Sequence, residues 1–288
     1  MDSNWKIEYG KLLFKLFDSV YYILSHEGGY NAIVVGGTAF NTYVDKKYRR
    51  FNKDVDIYIE VDEKEQINNY KRNVIKLIKE NLKTSPLLFR LEDDNILIYS
   101  KLKKLNKEYI YPYLSIKLGT KRINYITLSK FDTFLEKIGY KFDFACTDKI
   151  KVINKEDLFI SELREIIKPY KTSEILKYLY DTYILEKSYS FLLKIPIYRV
   201  YSSNDVGIIK FIQKVLKLVL IKQSKKFEKE FLLGDNYPRR EVENFLEKLI
   251  YNLMLSYGYE NTKINKRLIE YLTCFSSYYF SNLNLCNI

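Results

Sequence analysis

The sequence predicts an α/β (α+β) protein: a mixed β-sheet domain with helices, followed by an all-helical half. Three observations carry that prediction. A β-branched run, Ala32-Ile33-Val34-Val35, and a strictly alternating run, Asp54 to Val61, sit among segments of helical apolar spacing. Further strand candidates follow at 96–100, 113–118 and 123–128. Beyond about Lys130 only helical periodicity recurs, broken at Pro169, Pro196, Ser202-Ser203-Asn204 and Gly234 to Pro238.

Taken in order, Trp5 to Ser25 places Leu12, Leu13, Leu16, Phe17, Val20, Tyr21 and Leu24 on one helical face. Glu27-Gly28-Gly29-Tyr30 reads as a turn, and the strand 32–35 then ends at Gly36-Gly37. Thr38 to Tyr43 reads as the first turns of a helix with Thr38 as N-cap. Asp45 to Asn52 is a polar, basic loop leading into the strand from Asp54, and Asp62 to Leu82 is a charged amphipathic helix. Gly119-Thr120-Lys121-Arg122 reads as a hairpin turn joining the strands 113–118 and 123–128. Helices are expected over 156–167, 173–189, 206–231, 240–257 and 268–279, and the domains over 1–135 and 136–288.

Composition narrows the function classes. The 288 residues are 47% hydrophobic, enough for a sizeable core. Cys146, Cys274 and Cys286 form no CxxC pair, which argues against a disulfide framework or a thiolate zinc site. The single His26 excludes His-rich metal sites. The N-terminal stretch is broken by Lys11 and Lys15, unlike a signal peptide, and the apolar run 208–221 is interrupted by Lys210, Lys214 and Lys217, unlike a membrane span. An intracellular, cytoplasmic protein without a membrane partner is expected.

With 48 Lys+Arg against 36 Asp+Glu the net charge is +12, which suggests an anionic partner; a Lys-rich solvated surface gives the same number. The basic patches are Lys225-Lys226 with Lys229, and Arg239-Arg240. The tyrosines at 109, 111, 113, 278 and 279 could stack nucleobases or simply be half-buried packing residues.

The stretch that carries chemistry is Val34-Val35-Gly36-Gly37-Thr38-Ala39-Phe40 with Lys53-Asp54-Val55-Asp56-Ile57. Glycines let a backbone approach a ligand closely, and a helix N-terminus offers N–H groups to phosphate oxygens, with the Thr38 hydroxyl as a further donor. Asp54 and Asp56, two apart on a strand, share one face and suit divalent cations.

This arrangement resembles the signature of the polymerase-β-like nucleotidyltransferase superfamily over about residues 30–130, with a spacer from Gly37 to Asp54 longer than is commonest there. Within it, the Gly-Gly-Thr-Ala turn and Asp-x-Asp strand are similar to those of viral poly(A) polymerases of large DNA viruses, as is Lys177-Tyr178-x-x-Asp181. The resemblance implies a template-independent nucleotidyltransferase that extends RNA 3′ ends. Gly36, Gly37, Thr38 and Lys177 would bind ATP or another NTP, and Asp54 and Asp56 would be catalytic and hold Mg²⁺ or Mn²⁺. It also implies mRNA processing, RNA as partner, and host cytoplasm or virion as location if the chain is viral. A protein partner or self-association could complete a short helical half.

The superfamily has a third carboxylate on a later strand, and the expected register puts Asn124 there. Either Asp132 or Asp94 then serves, or the domain is an impaired copy that binds nucleic acid or a polymerase partner. A toxin-type nucleotidyltransferase is a further alternative.

Overall fold

The computed structural model describes residues 3–83, 87–100, 104–105, 108–109, 112–129, 131–145, 150–166, 172–193 and 224–256. The chain divides into two compact units, one of Met1–Phe159 with Glu228–Asn236, the other of Ile160–Phe227 with Tyr237–Ile288.

The first unit opens with α1 (Ser3–Tyr22), which runs into one π turn (Ile23–Glu27). Strand β1 (Ala32–Val35) is followed by α2 (Gly36–Tyr43), β2 (Asp54–Glu60) and α3 (Ile67–Asn81). Then come β3 (Leu87–Glu92), β4 (Asn95–Ser100), the two-residue strands β5 (Lys104–Leu105) and β6 (Glu108–Tyr109), β7 (Tyr113–Gly119), β8 (Tyr125–Leu128) and β9 (Ile150–Ile153). Seven of these strands form one mixed sheet in the order β3-β4-β7-β2-β1-β9-β8, and β5 pairs with β6.

Alternation explains which face is buried. Val55, Ile57 and Ile59 of β2, with Leu114 and Ile116 of β7 and Ile96 and Ile98 of β4, are wholly buried. They face the side on which α1 and α3 lie. Leu13, Phe17 and Val20 of α1 and Leu24 of the π turn are fully buried, as the spacing predicts, and Phe14 joins them, while Leu12 is only partly buried. Phe14 and Phe17 pack with Phe131, Phe134 and Phe144, at ring separations of 5.5–6.0 Å. Such a cluster makes each ring worth about 3–5 kcal/mol against truncation to alanine.

Three expectations are corrected. The 113–118 and 123–128 segments do not form a hairpin. Strand β7 is flanked on one side by β2, in parallel, and on the other by β4, so it has no free edge for β8, which pairs with β9 instead. The hairpin lies upstream, between β3 and β4 around Asp93-Asp94, and β3 was not expected. Strand β9, also unforeseen, pairs in parallel with β1 and extends this unit well past residue 135.

The described elements of the second unit are helical: the end of α4 (Lys155–Ile166), α5 (Thr172–Tyr189), a short 3-10 turn (Phe191–Leu193), the start of α6 (Ser224–Phe231), and α7 (Arg239–Ser256). Helices α5 and α7 meet, with Tyr183 and Phe245 at 6.2 Å. Helix α5 stops at Ser190, whose φ of 54° is left-handed, while Glu186 accepts the N–H of Leu192 at 2.8 Å. Burial holds the Glu186 carboxyl above the ordinary carboxylate range. The helix expected over 206–231 is described only from Ser224, and the one expected over 268–279 lies outside the described residues. Among the described residues no helix is long and apolar enough to cross a membrane.

Candidate active site

Strand β1 delivers the chain into a bend at Gly36, where φ is 62°, a left-handed value that disfavours any side chain. Space forbids one as well: a Cβ on Gly36 would stand 2.8 Å from Oδ2 of Asp56. A Cβ on Gly37 would stand 2.5 Å from Nη2 of Arg50 and 2.9 Å from Nδ2 of Asn52. A side chain at either glycine would have to push aside the ends of Asp56, or of Arg50 and Asn52, which crowd the bend.

Helix α2 begins at Gly36, two residues before the position expected for its cap. Its N-cap residue, Val35, has no capping side chain. Thr38 is therefore not the N-cap. It is 1% exposed, donates to the Asp54 carbonyl at 3.4 Å and accepts from Asn52 Nδ2 at 3.1 Å. Its hydroxyl ties the first turn of α2 to the start of β2. Asn41, fully buried, binds Asn52, receives the N–H of Arg50 at 3.0 Å and donates to the Arg50 carbonyl at 2.8 Å. The loop before β2 is thereby clasped to α2 by satisfied buried polar groups.

Antiparallel pairing of β1 with β2 sets Val35 opposite Asp56, so the carboxylates of β2 face the bend. Asp54 and Asp56 are half-buried, while the intervening Val55 is wholly buried on the other face. On the other flank of β2, the register with β7 places Tyr113 beside Asp54 and Ser115 beside Asp56. The Tyr113 hydroxyl donates to Asp54 Oδ2 at 2.8 Å, and its ring lies 5.4 Å from that of Tyr99. Burial, then the Asp54 charge, pushes the Tyr113 phenol far above its ordinary value, so it is a proton donor at any physiological pH. Tyr9, buried on α1, donates to the Lys53 carbonyl and is raised in the same way by burial and Asp54.

The basic residues before Asp54 serve the scaffold. Arg49 pairs with Asp132 at 2.8 Å and Glu136 at 2.7 Å. The buried Arg50 guanidinium lies between the Phe40 and Phe231 rings, at 5.6 and 5.9 Å. Lys53 pairs with Glu230 at 3.2 Å.

The structure thus brings Gly36, Gly37, Asp54 and Asp56 together, with Thr38 beneath them. It does not bring Asn124 there. Asn124 precedes β8 at the far edge of the sheet, three strands from β2, and donates to Asp157 Oδ2 at 3.0 Å. The alternatives go elsewhere too: Asp132 is held by Arg49, and Asp94 lies in the β3–β4 turn, its carbonyl accepting from Leu118 at 3.0 Å. His26, within the π turn, stacks on Tyr22 with ring centroids 4.6 Å apart. Lys177 belongs to α5 in the second unit, its Nζ 4.4 Å from the Tyr178 ring. Sequence reasoning missed Ser115 and read Tyr113 only as a base-stacking or packing tyrosine. Neither has a local signal, since both take their turn in the alternating run Tyr113-Leu114-Ser115-Ile116-Lys117-Leu118.

Two carboxylates beside a glycine bend are a donor set that suits Mg²⁺ or Mn²⁺, since such ions are commonly held by one or two protein carboxylates, with substrate phosphates and water completing the shell. Among the described residues, no group of three or more His, Cys, Asp or Glu side chains is arranged to hold a metal.

No curated protein matches the chain in sequence. The crystal structure of JHP933 from Helicobacter pylori aligns over 96% of this chain and 99% of its own, with 14% identity and a TM-score of 0.41. An antigenic nucleotidyltransferase-like protein from Paracoccidioides brasiliensis aligns over 76% of this chain and 93% of its own, with 13% identity and a TM-score of 0.43. The profile of a family described as nucleotidyltransferase of unknown function, DUF6036, matches residues 11–163, a span that holds the whole sheet, the glycine bend and both carboxylates. The match covers more than half of the 288 residues, and the chain belongs to that nucleotidyltransferase family.

Proposed function

We propose that the protein transfers a nucleoside monophosphate from an NTP, ATP first among them, to the 3′ hydroxyl of an RNA. The observation that supports the reading is the approach of Asp56 Oδ2 to the glycine bend, close enough that a Cβ on Gly36 would stand 2.8 Å from it. The backbone of Gly36 and Gly37, without Cβ atoms, lets the triphosphate approach the first N–H groups of α2. Asp54 and Asp56 would hold Mg²⁺ or Mn²⁺; when bound, the cation acidifies the acceptor hydroxyl and offsets charge on the departing pyrophosphate. The acceptor oxygen forms a bond to the α-phosphorus, the bond from that phosphorus to the bridging oxygen breaks, pyrophosphate leaves, and the hydroxyl proton passes to solvent. Thr38 keeps the cradle and β2 in register rather than touching the nucleotide.

RNA as acceptor is favoured by the net charge of +12 and by the likeness of the Gly36 to Ala39 turn to that of viral poly(A) polymerases. Lys177 is kept as a nucleotide contact on the strength of that likeness alone. With those substrates the protein would work inside a cell.

The test is extension of an RNA primer with each NTP and Mg²⁺ or Mn²⁺. Extension is expected, with loss in the Asp54→Ala, Asp56→Ala double variant. Absence of extension with every nucleotide and metal refutes it. Label from the α-phosphate appearing on protein, or at a tRNA, would move the acceptor to that of a toxin-type enzyme.

A second reading is favoured by Ser115, which stands beside Asp56 where a third carboxylate would complete the site. Under it the chain is a non-catalytic subunit that binds nucleic acid or a polymerase partner. Calorimetry decides: metal-dependent ATP binding would count against a purely structural role.

A further inference from the structure

On the β7 flank the carboxylate pair has a hydrogen-bonded support, from Tyr113 to Asp54. Strand β7 runs parallel to β2, with neighbouring strands about 4.8 Å apart, so side chains at matched positions lie side by side on one face. The matched positions are Tyr113 beside Asp54 and Ser115 beside Asp56. The Tyr113 hydroxyl reaches Asp54 Oδ2 at 2.8 Å, a distance typical of a charge-assisted O–H···O⁻ contact. The ring is fixed in turn by Tyr99 on β4, the strand on the far side of β7.

We infer that Tyr113 is the positioning residue of the cation site and that this chain operates with two carboxylates and a phenol in place of three carboxylates. The inference rests on the reading of Asp54 and Asp56 as cation ligands. The phenol commits one oxygen of Asp54 to a hydrogen bond and thereby fixes the plane of the carboxylate. A carboxylate so fixed presents its remaining acceptor capacity in one orientation, which lowers the entropy lost when a hard cation is taken up. Partners of this kind around a metal ligand are typically worth about 10–100-fold in metal affinity or activity. Ser115 offers a hydroxyl, a weaker donor to Mg²⁺ than a carboxylate oxygen would be. The position matched to Asp56 on β7 thus carries a hydroxyl and not an acid.

The experiment titrates Mn²⁺ alone into the full chain, read by water-proton relaxation, in the wild type and in Tyr113→Phe, Ser115→Asp and the Asp54→Asn, Asp56→Asn pair. The pair should abolish the specific site. Tyr113→Phe keeps the ring packing against Tyr99 and should weaken Mn²⁺ about 10–100-fold while thermal unfolding stays cooperative. Ser115→Asp should tighten Mn²⁺ and recover affinity when combined with Tyr113→Phe. If Tyr113→Phe binds Mn²⁺ like the wild type while the Asp pair does not bind it, the positioning role is overturned and the carboxylate site stands. If the Asp pair binds Mn²⁺ as the wild type does, or the wild type shows no bound Mn²⁺, the carboxylate site falls and the positioning role with it. A Tyr113→Phe chain that unfolds earlier yet keeps its Mn²⁺ affinity would make Tyr113 a packing residue only.

Discussion

Substituting Gly36 by alanine perturbs two things at once, and the fold supplies the control that separates them. The first is backbone strain: φ at Gly36 is 62°, where an L side chain costs about 1–2 kcal/mol. The second is contact: the new Cβ would meet Asp56 Oδ2 at 2.8 Å, and ordinary contact begins only at 3.4 Å. Gly29 has nearly the same φ, 63°, but nothing within 4 Å of its Cβ position. Gly29→Ala therefore carries the strain without the contact, and the difference between the two variants isolates the push on Asp56. Both should lose about 1–2 kcal/mol in urea unfolding, with Gly36→Ala losing more. In the transfer assay only Gly36→Ala should fall. A misplacement of about 1 Å at a reacting centre is worth about 10²-fold, so a displacement of several tenths of an ångström predicts roughly a tenfold loss. Equal stability losses together with full activity in Gly36→Ala would refute the claim that the bend and the Asp56 carboxylate form one site.

Other perturbations test the scaffold. Gly37→Ala adds a Cβ against the buried Arg50 guanidinium without a φ penalty, and should lower the urea midpoint through the crowding of Arg50 and Asn52 alone. Arg49→Ala leaves Asp132 and Glu136 without the cation that bridges them, and should destabilise by about 3–5 kcal/mol, measured by urea unfolding. Glu186 has its carboxyl raised above the ordinary value of 4.5 by burial, so the folded state holds its proton more tightly than the unfolded chain. Its contribution is favourable below that value and is lost as pH rises through the raised one. Glu186→Gln should accordingly gain on the wild type as pH climbs above 4.5, read from midpoints at a series of pH values.

What was legible in the sequence tracks the separation of the residues that had to be related. The α+β class followed from local periodicity, which α1, α3, β1 and β2 each carry within a few consecutive side chains. The nearness of Asp56 to the Gly36 bend was also open to reading, because β1 and β2 are successive strands and successive strands usually pair. The cap assigned to Thr38 failed for a physical reason: Gly36 can turn left-handed, so α2 starts directly from the strand and frees the Thr38 hydroxyl to fasten Asp54.

The flank of β2 could not be read from any local pattern. The apolar alternation of β7 is shared by β4 and β8, and nothing in it states which strand slots between β4 and β2. Tyr113 meets Asp54 across 59 positions of sequence, and that choice is made by the whole sheet. With β7 inserted there, β8 pairs with β9, so Asn124 lies at the opposite edge, where it engages Asp157. The same step decides the chemistry available to the site, because the strand beside Asp54 and Asp56 contributes a phenol and a small hydroxyl rather than an acid. The side chains that flank Asp54 and Asp56 are thus a consequence of strand order, and Ser115→Asp is expected to set a carboxyl beside Asp56 while leaving the bend at Gly36 as it is.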